Sequence, residues 1–581
     1  AFATRARSAD AVDRVRPELA GSGVRLGGND VAFSELNKRT ASDLQRAETF
    51  AFPILLLLSF WVFRGLVAAA LPLLVGGFAI VITFLLLRLI DQFMGLSIFA
   101  VNLVTGVGLG LGIDYSLIVL SRYREELAGG ADTRTAIART MQTAGRTVLY
   151  TSLTVAGALA SMLVFPLRFL YSMGVGGALV ALSAGTVALV VLPAVLVALG
   201  PRIDALAPAR LQRNAARSAQ ATEQGAWFRL ARAVMRRPGL VALLTGAALM
   251  VVALPSLRLQ LAPADAHVLP ASSQARQVAE ALTRDFTVDG SQTVTMVVRA
   301  PGGVGARTVA AVARRAQLTA AGRASVAPPR YVGRGVWEIE LLPSGRDGAP
   351  ANQRLIARLR ALGRPPTLLV GGATAGFVDQ KAAIAAPTPL ALVILALVTG
   401  GFLFLMTGSL VLPFVALVMN LLTVAVGAGL LVLVFQDGHL SSLLGFSPIG
   451  GLEESNLVLL FIVAFALSTD YGVFLFARIK ESHDDGQPTR EAVARGLERT
   501  GRLVTAAALL FCVAIGAFVT SDVFFIKELG FGAALAVAID ATVVRALLVP
   551  ALMGRLGERT WWAPRLLRRL HAWVGLREAP A

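Results

Sequence analysis

Long apolar runs separated by short polar connections dominate the chain. Eleven of these runs reach the length of about 20 residues that a helix needs to cross a bilayer. They predict helices near residues 50–66, 67–89, 97–120, 147–166, 171–199, 238–256, 388–407, 410–435, 455–477, 502–520 and 528–553. The pattern is that of an α-helical polytopic membrane protein.

Two stretches lack such runs and alternate apolar and polar residues instead. In residues 257–386, a leading helix near 272–284 precedes a β-α-β-β-α-β pattern. Its strands are predicted near 292–298, 325–332, 336–342 and 367–372, and its helices near 306–321 and 352–362. That order is typical of a ferredoxin-like α+β unit.

The chain repeats itself. When Asp114 is aligned with Asp470, Gly145-Arg146 also meets Gly501-Arg502 without a gap. A repeat of several helices in one orientation implies a pseudo-two-fold axis along the membrane normal. We therefore expect a two-fold pseudo-symmetric helical bundle, with eleven of an expected twelve helices.

The repeat also predicts the structure of the first residues of the chain. A helix near residues 9–19 and a short strand at 24–27 match the helix at 352–362 and the strand at 367–372, and Phe33 matches Phe377. Residues 1–47 are therefore predicted to be the C-terminal remnant of a first external domain, in a chain that is N-terminally incomplete.

These patterns divide the chain into seven parts. They are the remnant of a first external domain at 1–47, a first repeat of five helices at 48–200, a basic linker at 201–237, one helix at 238–256, a second external domain at 257–386, a second repeat of five helices at 387–554, and a basic tail at 555–581.

Composition agrees with a membrane location, and charge predicts the orientation. Hydrophobic residues make up 55% of the chain and charged residues 15%, and the net charge of +18 comes mostly from arginine. The arginine-rich connections at 121–146, 201–237 and 478–502 are predicted to be cytoplasmic, and those at 90–96 and 436–454, which lack Lys and Arg, external. This places 257–386 outside. Positive charge concentrated at the ends of apolar helices favours contact with anionic lipid head groups over contact with nucleic acid.

The most unusual residues are two Asp-Tyr pairs within apolar helices: Asp114-Tyr115 and Asp470-Tyr471. A carboxylate at the centre of a spanning helix costs roughly 2.5–3.5 kcal/mol on insertion scales, so such residues usually face a cavity or a partner. The repeat predicts that the two pairs face each other at the axis, where Asp···Tyr hydrogen bonds across the axis are conceivable. The alternative is a purely structural buried hydrogen bond.

Other polar or small residues in the apolar helices have more than one interpretation. Asp540 and Arg545 are five residues apart, which places them on different sides of an α-helix and predicts a separate partner for each; structural and coupling roles are both open. Glu453 and Glu454 either guide protons or are solvated, and solvation is the simpler interpretation. Gly106, Gly108, Gly110 and Gly112 predict close approach of a neighbouring backbone.

Three motifs resemble the MmpL lineage of the resistance–nodulation–division transporters. They are Gly112-Ile-Asp-Tyr-Ser116, Ser468-Thr-Asp-Tyr-Gly-Val-Phe474 and Ile539-Asp-Ala-Thr-Val-Val-Arg545. The resemblance implies a twelve-helix exporter with two external porter domains, driven by proton entry. It implies that Asp114, Tyr115, Asp470 and Tyr471 form the proton relay and that Asp540 and Arg545 are neighbours of that relay. The first repeat has Ala184 and Leu189 where the second has Asp540 and Arg545.

The resulting hypothesis is a proton-driven exporter of lipids, glycolipids or other hydrophobic molecules in the cytoplasmic membrane. No ATP-binding Gly-Lys-Ser/Thr loop, hydrolytic triad or metal-ligand spacing is readable, so we expect neither a cofactor nor an enzyme. Homo-oligomers or accessory membrane proteins are further partners to consider. The alternatives are a hydrophobic drug or antibiotic efflux pump, a lipid- or sterol-sensing receptor, and an accessory factor of protein translocation.

Overall fold

The computed structural model of the chain describes residues 12, 14–19, 22–204, 225–285, 293–299, 306–344, 348–363 and 367–574. Within these residues, 11 helices are long and apolar enough to cross a membrane. They are α1 (Asn29–Phe63), α2 (Leu66–Met94), α3 (Ala100–Ala128), α4 (Thr133–Val164), α5 (Arg168–Leu199), α7 (Pro238–Arg258), α11 (Ala373–Thr407), α12 (Val411–Gln436), α13 (Glu454–Asp484), α14 (Thr489–Thr520) and α15 (Phe524–Trp561). Every predicted span is therefore confirmed as a helix.

The remaining elements connect these spans or form a small domain. The helices are α6 (Ala226–Arg236), α8 (Gln274–Asp285), α9 (Ala306–Ala320), α10 (Pro350–Arg360) and α16 (Arg565–Val574), with short turns at Gly200–Asp204, Ala266–Val268 and Ser441–Leu444. The strands are β1 (Leu261–Ala262), β2 (Val294–Arg299), β3 (Ala324–Val326), β4 (Arg330–Gly333), β5 (Val336–Pro343), β6 (Leu368–Gly372) and β7 (Leu452–Glu453).

The helix bounds reproduce the internal repeat. α4 begins at Thr133 and α14 at Thr489, the two threonines that the sequence repeat aligns. α5 and α15 begin at Arg168 and Phe524, which the same alignment pairs. The two halves therefore have the same order and nearly the same lengths of helices.

The two Asp-Tyr helices form the interior of the bundle. In α3, 94% of the 18-residue apolar segment is buried inside the structure, and in α13 the share is 89%. In α7 the corresponding share is only 17%. α3 packs against α14 of the other half, and α13 packs against α4. The halves are thus interlocked around the two helices that carry the buried carboxylates.

The small domain has the predicted ferredoxin-like arrangement. Its sheet order is β3-β5-β2-β6, with β4 also paired to β5, and every neighbouring pair is antiparallel. Val294, Met296, Ile339 and Leu341 are buried on one face of the sheet, where they pack with residues of α9 and α10. The strand predicted at 325–332 is two strands, because Pro328 and Pro329 cannot donate to the ladder.

The first helix corrects the sequence-based prediction. α1 begins at Asn29 rather than near residue 50, and residues 24–27 lie in no strand, so the strand predicted there is wrong. A single strand with no neighbouring strand has unpaired backbone groups and little surface to bury. Gly28, with φ of 104°, directly precedes α1, as Gly372, with φ of 115°, precedes α11. Both backbone conformations favour glycine.

The beginning of α1 is held by the segment that leads into the small domain. Glu35 is buried and accepts hydrogen bonds from Ser273 and, at 3.0 Å, from Arg16. Val31 packs in an apolar cluster with Leu269 and Ala275. The sequence did not predict these contacts between residues so distant along the chain.

A short strand pair joins the small domain to the bundle. β1 follows α7 and runs parallel to β7, with Leu261 opposite Leu452 and Ala262 opposite Glu453. β7 leads directly into α13. The end of the bundle at which α13 begins is therefore the end that carries the sheet, and we call it the sheet side.

Two exposed positions test the predicted orientation of this bundle. Ser442 precedes β7 on the sheet side, and Asp485 follows the opposite end of α13. In a Cys512→Ser background, Ser442→Cys should react with an impermeant thiol reagent in intact cells. Asp485→Cys should react only after the membrane is permeabilised. Equal labelling of the two variants in intact cells would contradict the orientation.

Candidate functional site

The structure brings both Asp-Tyr pairs to the centre of the bundle. Asp114 and Tyr115 lie on α3 and Asp470 and Tyr471 on α13, and none of the four residues is more than 5% exposed. The apolar sequence around each pair makes a continuous helix that is packed on all sides, which positions both carboxylates away from lipid. The predicted proximity of the two pairs is correct.

The pairs meet across the axis in an unsymmetrical way. The Tyr471 hydroxyl approaches the Asp114 carboxylate, and Asp470 also lies within electrostatic reach of Asp114. However, both Asp114 oxygens, Asp470 Oδ2 and the hydroxyls of Tyr115 and Tyr471 are buried without a hydrogen-bond partner of ordinary geometry. Of the conceivable Asp···Tyr contacts across the axis, the one between Tyr471 and Asp114 is present, but its geometry is poorer than that of an ordinary hydrogen bond. Because unpaired buried polar atoms are costly, their concentration here indicates a functional site.

Asp540 and Arg545 correct the sequence-based geometry. Arg545 Nε donates to Asp540 Oδ2 at 2.7 Å, so the two residues bind each other in addition to their contacts with α13. The reason is that Asp540–Leu548 is a π-helix. In an α-helix, residues five apart are separated by about 140° around the axis. In a π-helix, hydrogen bonds join residues five apart, which places their side chains on one face.

The Asp540–Arg545 ion pair belongs to a larger buried network with α13. Ser468 donates to Asp540 Oδ1 at 2.7 Å, and Arg545 donates to the Ser468 carbonyl oxygen. The Arg545 guanidinium lies 5.7 Å from the centre of the Tyr471 ring and within electrostatic reach of Asp470. The arginine therefore links the ion pair to the second Asp-Tyr pair.

The sequence analysis did not identify Asn420 and Thr469 as members of this network. Asn420 on α12 donates to Thr469 Oγ1 at 2.8 Å, and its Oδ1 lies 2.8 Å from Ser468 Oγ. All three residues are buried. The available signals were a lone amide in the apolar run of α12 and the Ser-Thr pair that directly precedes Asp470-Tyr471.

The first half has no equivalent network. The repeat aligns Ser468 with Gly112, Asp540 with Ala184 and Arg545 with Leu189, and none of these three has a polar side chain. Asp470 thus has a buried cation nearby, while Asp114 faces the hydroxyl of Tyr471. The two carboxylates are chemically different although their helices are related by the repeat.

The glycines of α3 permit close packing, and the predicted approach of a neighbouring backbone occurs at Gly112, while the other three glycines face side chains. A Cβ at Gly112 would overlap the backbone of Gly76 on α2, and one at Gly110 would overlap the Phe511 ring on α14. Gly106 likewise faces Phe518, and Gly108 faces Val180. These close contacts fix α3, and with it Asp114, against both halves of the bundle.

Glu453 and Glu454 were predicted to be solvated, but the structure buries both. Glu453 is 6% exposed and Glu454 is 2% exposed, although both stand at the beginning of α13. Solvation is the simplest expectation for glutamates at a helix end, but here β1, which pairs with β7, and α11 cover the position.

A metal site has no support among the described residues, where no group of three His, Cys, Asp or Glu side chains could hold an ion. Cys512 is a free thiol whose Sγ lies 3.2 Å from the Ala534 carbonyl oxygen.

The profile of the MMPL family matches residues 3–241 and 345–580. The chain belongs to the MMPL family. A putative membrane protein of Streptomyces coelicolor is 40% identical over 98% of this chain and 78% of its own length.

Two mycobacterial members are also similar to the chain. The trehalose monomycolate exporter MmpL3 of Mycolicibacterium smegmatis is 34% identical over 97% of this chain and 59% of its own length. The mycolic acid-containing lipids exporter MmpL11 of the same organism is 34% identical over 91% of this chain and 56% of its own length. The chain therefore spans a little more than half the length of these exporters.

Among solved structures, the translocon-associated membrane protein SecDF of Thermus thermophilus has a similar fold. The TM-score is 0.54 at 17% identity, over 91% of this chain and 64% of that one. At this identity the likeness shows the fold alone, which is that of a multi-pass, pseudo-symmetric helical bundle.

The packing of α3 against α2 can be tested by paired substitutions. Gly112→Ala should destabilise the MMPL protein, because the added methyl group meets the Gly76 backbone. Overpacking of this kind costs about 1–3 kcal/mol. Gly77→Ala in α2 is the matched control, since its Cβ would have no atom within 4 Å. Thermal unfolding in detergent should show a lower midpoint for Gly112→Ala only; equal midpoints would contradict this packing.

Proposed function

We propose that this chain forms the membrane-embedded part of a proton-driven lipid exporter, with the two Asp-Tyr pairs as its proton relay. The observation that carries the proposal is the central group of buried carboxylates and hydroxyls of Asp114, Tyr115, Asp470 and Tyr471, which lie beside Arg545 with several polar atoms unpaired. Ionisable residues inside a membrane are expensive and usually serve transport of ions or protons.

Arg545 supplies a means of coupling. An ionised Asp470 attracts the guanidinium, which Asp540 and the Ser468 carbonyl hold from the other side. A proton on Asp470 removes that attraction and leaves Asp540 as the dominant anion near Arg545. Protonation therefore favours a different packing of α13 against α15 and shifts the population between two arrangements of the bundle.

The proton-motive force can supply enough energy for such a cycle. The membrane potential contributes about 2.3 kcal/mol per elementary charge per 100 mV. That amount exceeds the energy of one ordinary hydrogen bond, which is about 0.5–1.5 kcal/mol net. A change of partners in the Ser468–Asp540–Arg545 network therefore lies within the energy available from one or two protons.

Lipids or glycolipids are the proposed substrates. Two relatives with 34% identity are named as exporters of trehalose monomycolate and of mycolic acid-containing lipids. The spans in the described part of the chain expose many large apolar side chains, which suits contact with lipids.

The proposed orientation puts the sheet side outside the cytoplasmic membrane. The arginine-rich ends of the helices then face the cytoplasm. Two amphipathic helices, α6 and α16, lie at that end and carry Arg229, Arg232, Arg568 and Arg569. The arginines of these helices suit contact with anionic lipid head groups.

The relay is tested by neutral replacements of the carboxylates. Asp114→Asn and Asp470→Asn should each abolish transport of a fluorescent fatty-acyl trehalose in proteoliposomes under a pH gradient, since the amide cannot carry a proton. Tyr115→Phe and Tyr471→Phe should be milder, because they remove a hydroxyl and keep the titratable groups.

Asp91→Asn is the control, since Asp91 is an exposed carboxylate on α2. Its transport rate should remain at the wild-type value. Wild-type transport in Asp470→Asn would exclude the relay. A wild-type protein that binds but never transports the probe under any gradient would favour a lipid-sensing receptor instead.

A further inference from the structure

A second group of buried carboxylates lies on the sheet side of the bundle, far from the Asp-Tyr pairs. Glu453 ends β7, Glu454 begins α13, and Glu528 lies in the first turns of α15. Their exposed fractions are 6%, 2% and 0%. Burying three acidic side chains together is costly unless protons or cations balance them.

Glu528 is the least compensated of the three. Its carboxylate faces the Glu453 carboxylate, the Glu453 backbone N–H and the Asn456 amide. Neither of its oxygens makes a hydrogen bond of ordinary geometry, and Glu454 Oε2 and Asn456 Oδ1 are also buried without a partner. Glu453 is better satisfied, because its Oε2 accepts from the Asn456 backbone N–H at 2.6 Å.

The internal repeat shows that acidic residues are not needed to build this part of the fold. The repeat aligns Glu453 with Ser97 and Glu528 with Ser172. In the first half, the Ser97 backbone N–H donates to Ser172 Oγ at 3.0 Å, so a serine pair satisfies the same helix junction. The second half has replaced a neutral pair with two buried carboxylates.

The cluster also contacts the helix that leads out of the small domain. Gln380 on α11 donates to Ser455 Oγ at 2.9 Å. The neighbouring Lys381 lies within electrostatic reach of Glu454 and donates to Gln353 of α10 at 3.1 Å. Lys381 is the cation that faces the cluster from α11; Lys527 on α15 instead donates to the Leu444 and Gly445 carbonyl oxygens.

A mainly apolar layer lies next to the cluster. Phe99, Phe169, Met173, Leu459, Phe518 and Leu529 line a small cavity between the halves, together with Asn102 and with Asn456 of the cluster. Along α13, Glu454 and Asp470 are about 24 Å apart, at a rise of about 1.5 Å per residue. The cluster is thus at the sheet-side mouth of the path to the relay.

We propose that Glu453, Glu454 and Glu528 form a proton-loading site, which takes a proton from the external solution and holds it before it crosses the apolar layer to the Asp-Tyr pairs. This inference rests on the proposed function. One of the carboxylates takes a proton from a hydronium ion or a water molecule outside, so an O–H bond breaks in the donor and an O–H bond forms on the glutamate. The same bond breaks when the proton moves inward, and the cluster regains its negative charge.

Charge repulsion and burial both favour retention of a proton. Close carboxylates disfavour simultaneous ionisation of all members. Burial raises the pKa of Glu453, which lies outside the spanning segments, to about 7. A carboxyl with that pKa is largely protonated when the external pH is below 7 and ionised above it, so loading should respond to external acidity near neutrality.

The pH dependence of transport tests the proposal. With the fluorescent fatty-acyl trehalose probe, the wild-type rate should rise as the external pH falls through about 7. In Glu453→Ser/Glu528→Ser, which copies the first half of the repeat, this rise should shift to lower pH by about one unit or more, the change expected for an isolated carboxyl. Glu453→Gln and Glu528→Gln keep the shape of the side chains and should show the same shift.

Lys381→Met should shift the pH profile of transport in the opposite direction to the glutamate variants. Loss of the facing cation leaves the negative charge of the cluster less balanced, so the rise in rate should move to higher external pH. Asp437→Asn, which removes an exposed carboxylate on the sheet side, is the control and should leave the profile unchanged. Difference infrared spectra should show a protonated carboxyl signal that disappears in Glu453→Gln.

The outcomes separate this inference from the proposed function. Asp470→Asn should abolish transport at every pH, whereas the cluster variants should keep transport at low external pH. If Asp470→Asn is inactive but the cluster variants have the wild-type pH profile, the loading site is wrong and the relay stands. If the wild-type protein shows no proton-driven transport, the proposed function itself fails.

Discussion

The structure depends on how buried charge is balanced where water is excluded. Arg545 is the cation at the centre of the bundle, and its guanidinium touches Asp540, the Ser468 carbonyl and the face of Tyr471. An uncompensated charge at this position would be prohibitive. The packing of α12, α13 and α15 is therefore fixed by polar contacts rather than by apolar surface alone, since apolar side chains gain little from leaving lipid for one another.

Sequence reasoning predicted the spans, the repeat, the ferredoxin-like sheet and the meeting of the two Asp-Tyr pairs, because periodicity and length determine these features directly. It failed where local geometry departs from the ordinary helix or where distant segments meet. The π-helix at Asp540–Leu548 has no apparent signal in its residues, and it reversed the inferred relation of Asp540 to Arg545. The burial of Glu453 results from β1, a strand of two residues contributed by a segment far away in the chain.

The two halves share a fold and differ in chemistry. At three matched places the first half has neutral residues and the second has ionisable or polar ones: Gly112 and Ser468, Ala184 and Asp540, Ser172 and Glu528. Both halves keep an Asp-Tyr pair, but only the second carries the additional buried charges of Asp540, Arg545 and Glu528. At the matched places the first half has close helix packing instead, as the contact between Gly112 and Gly76 illustrates.

The pairing of β1 with β7 has a mechanical consequence. Paired strands keep a spacing of about 4.8 Å, and sliding one past the other breaks the register of their hydrogen bonds. α13 is continuous with β7, and β1 is continuous with the segment that enters the small domain. A displacement of α13 along its axis would therefore either move the base of that domain with it or break the hydrogen bonds of the ladder. The two-residue ladder thus couples the position of one membrane helix to the position of the small domain.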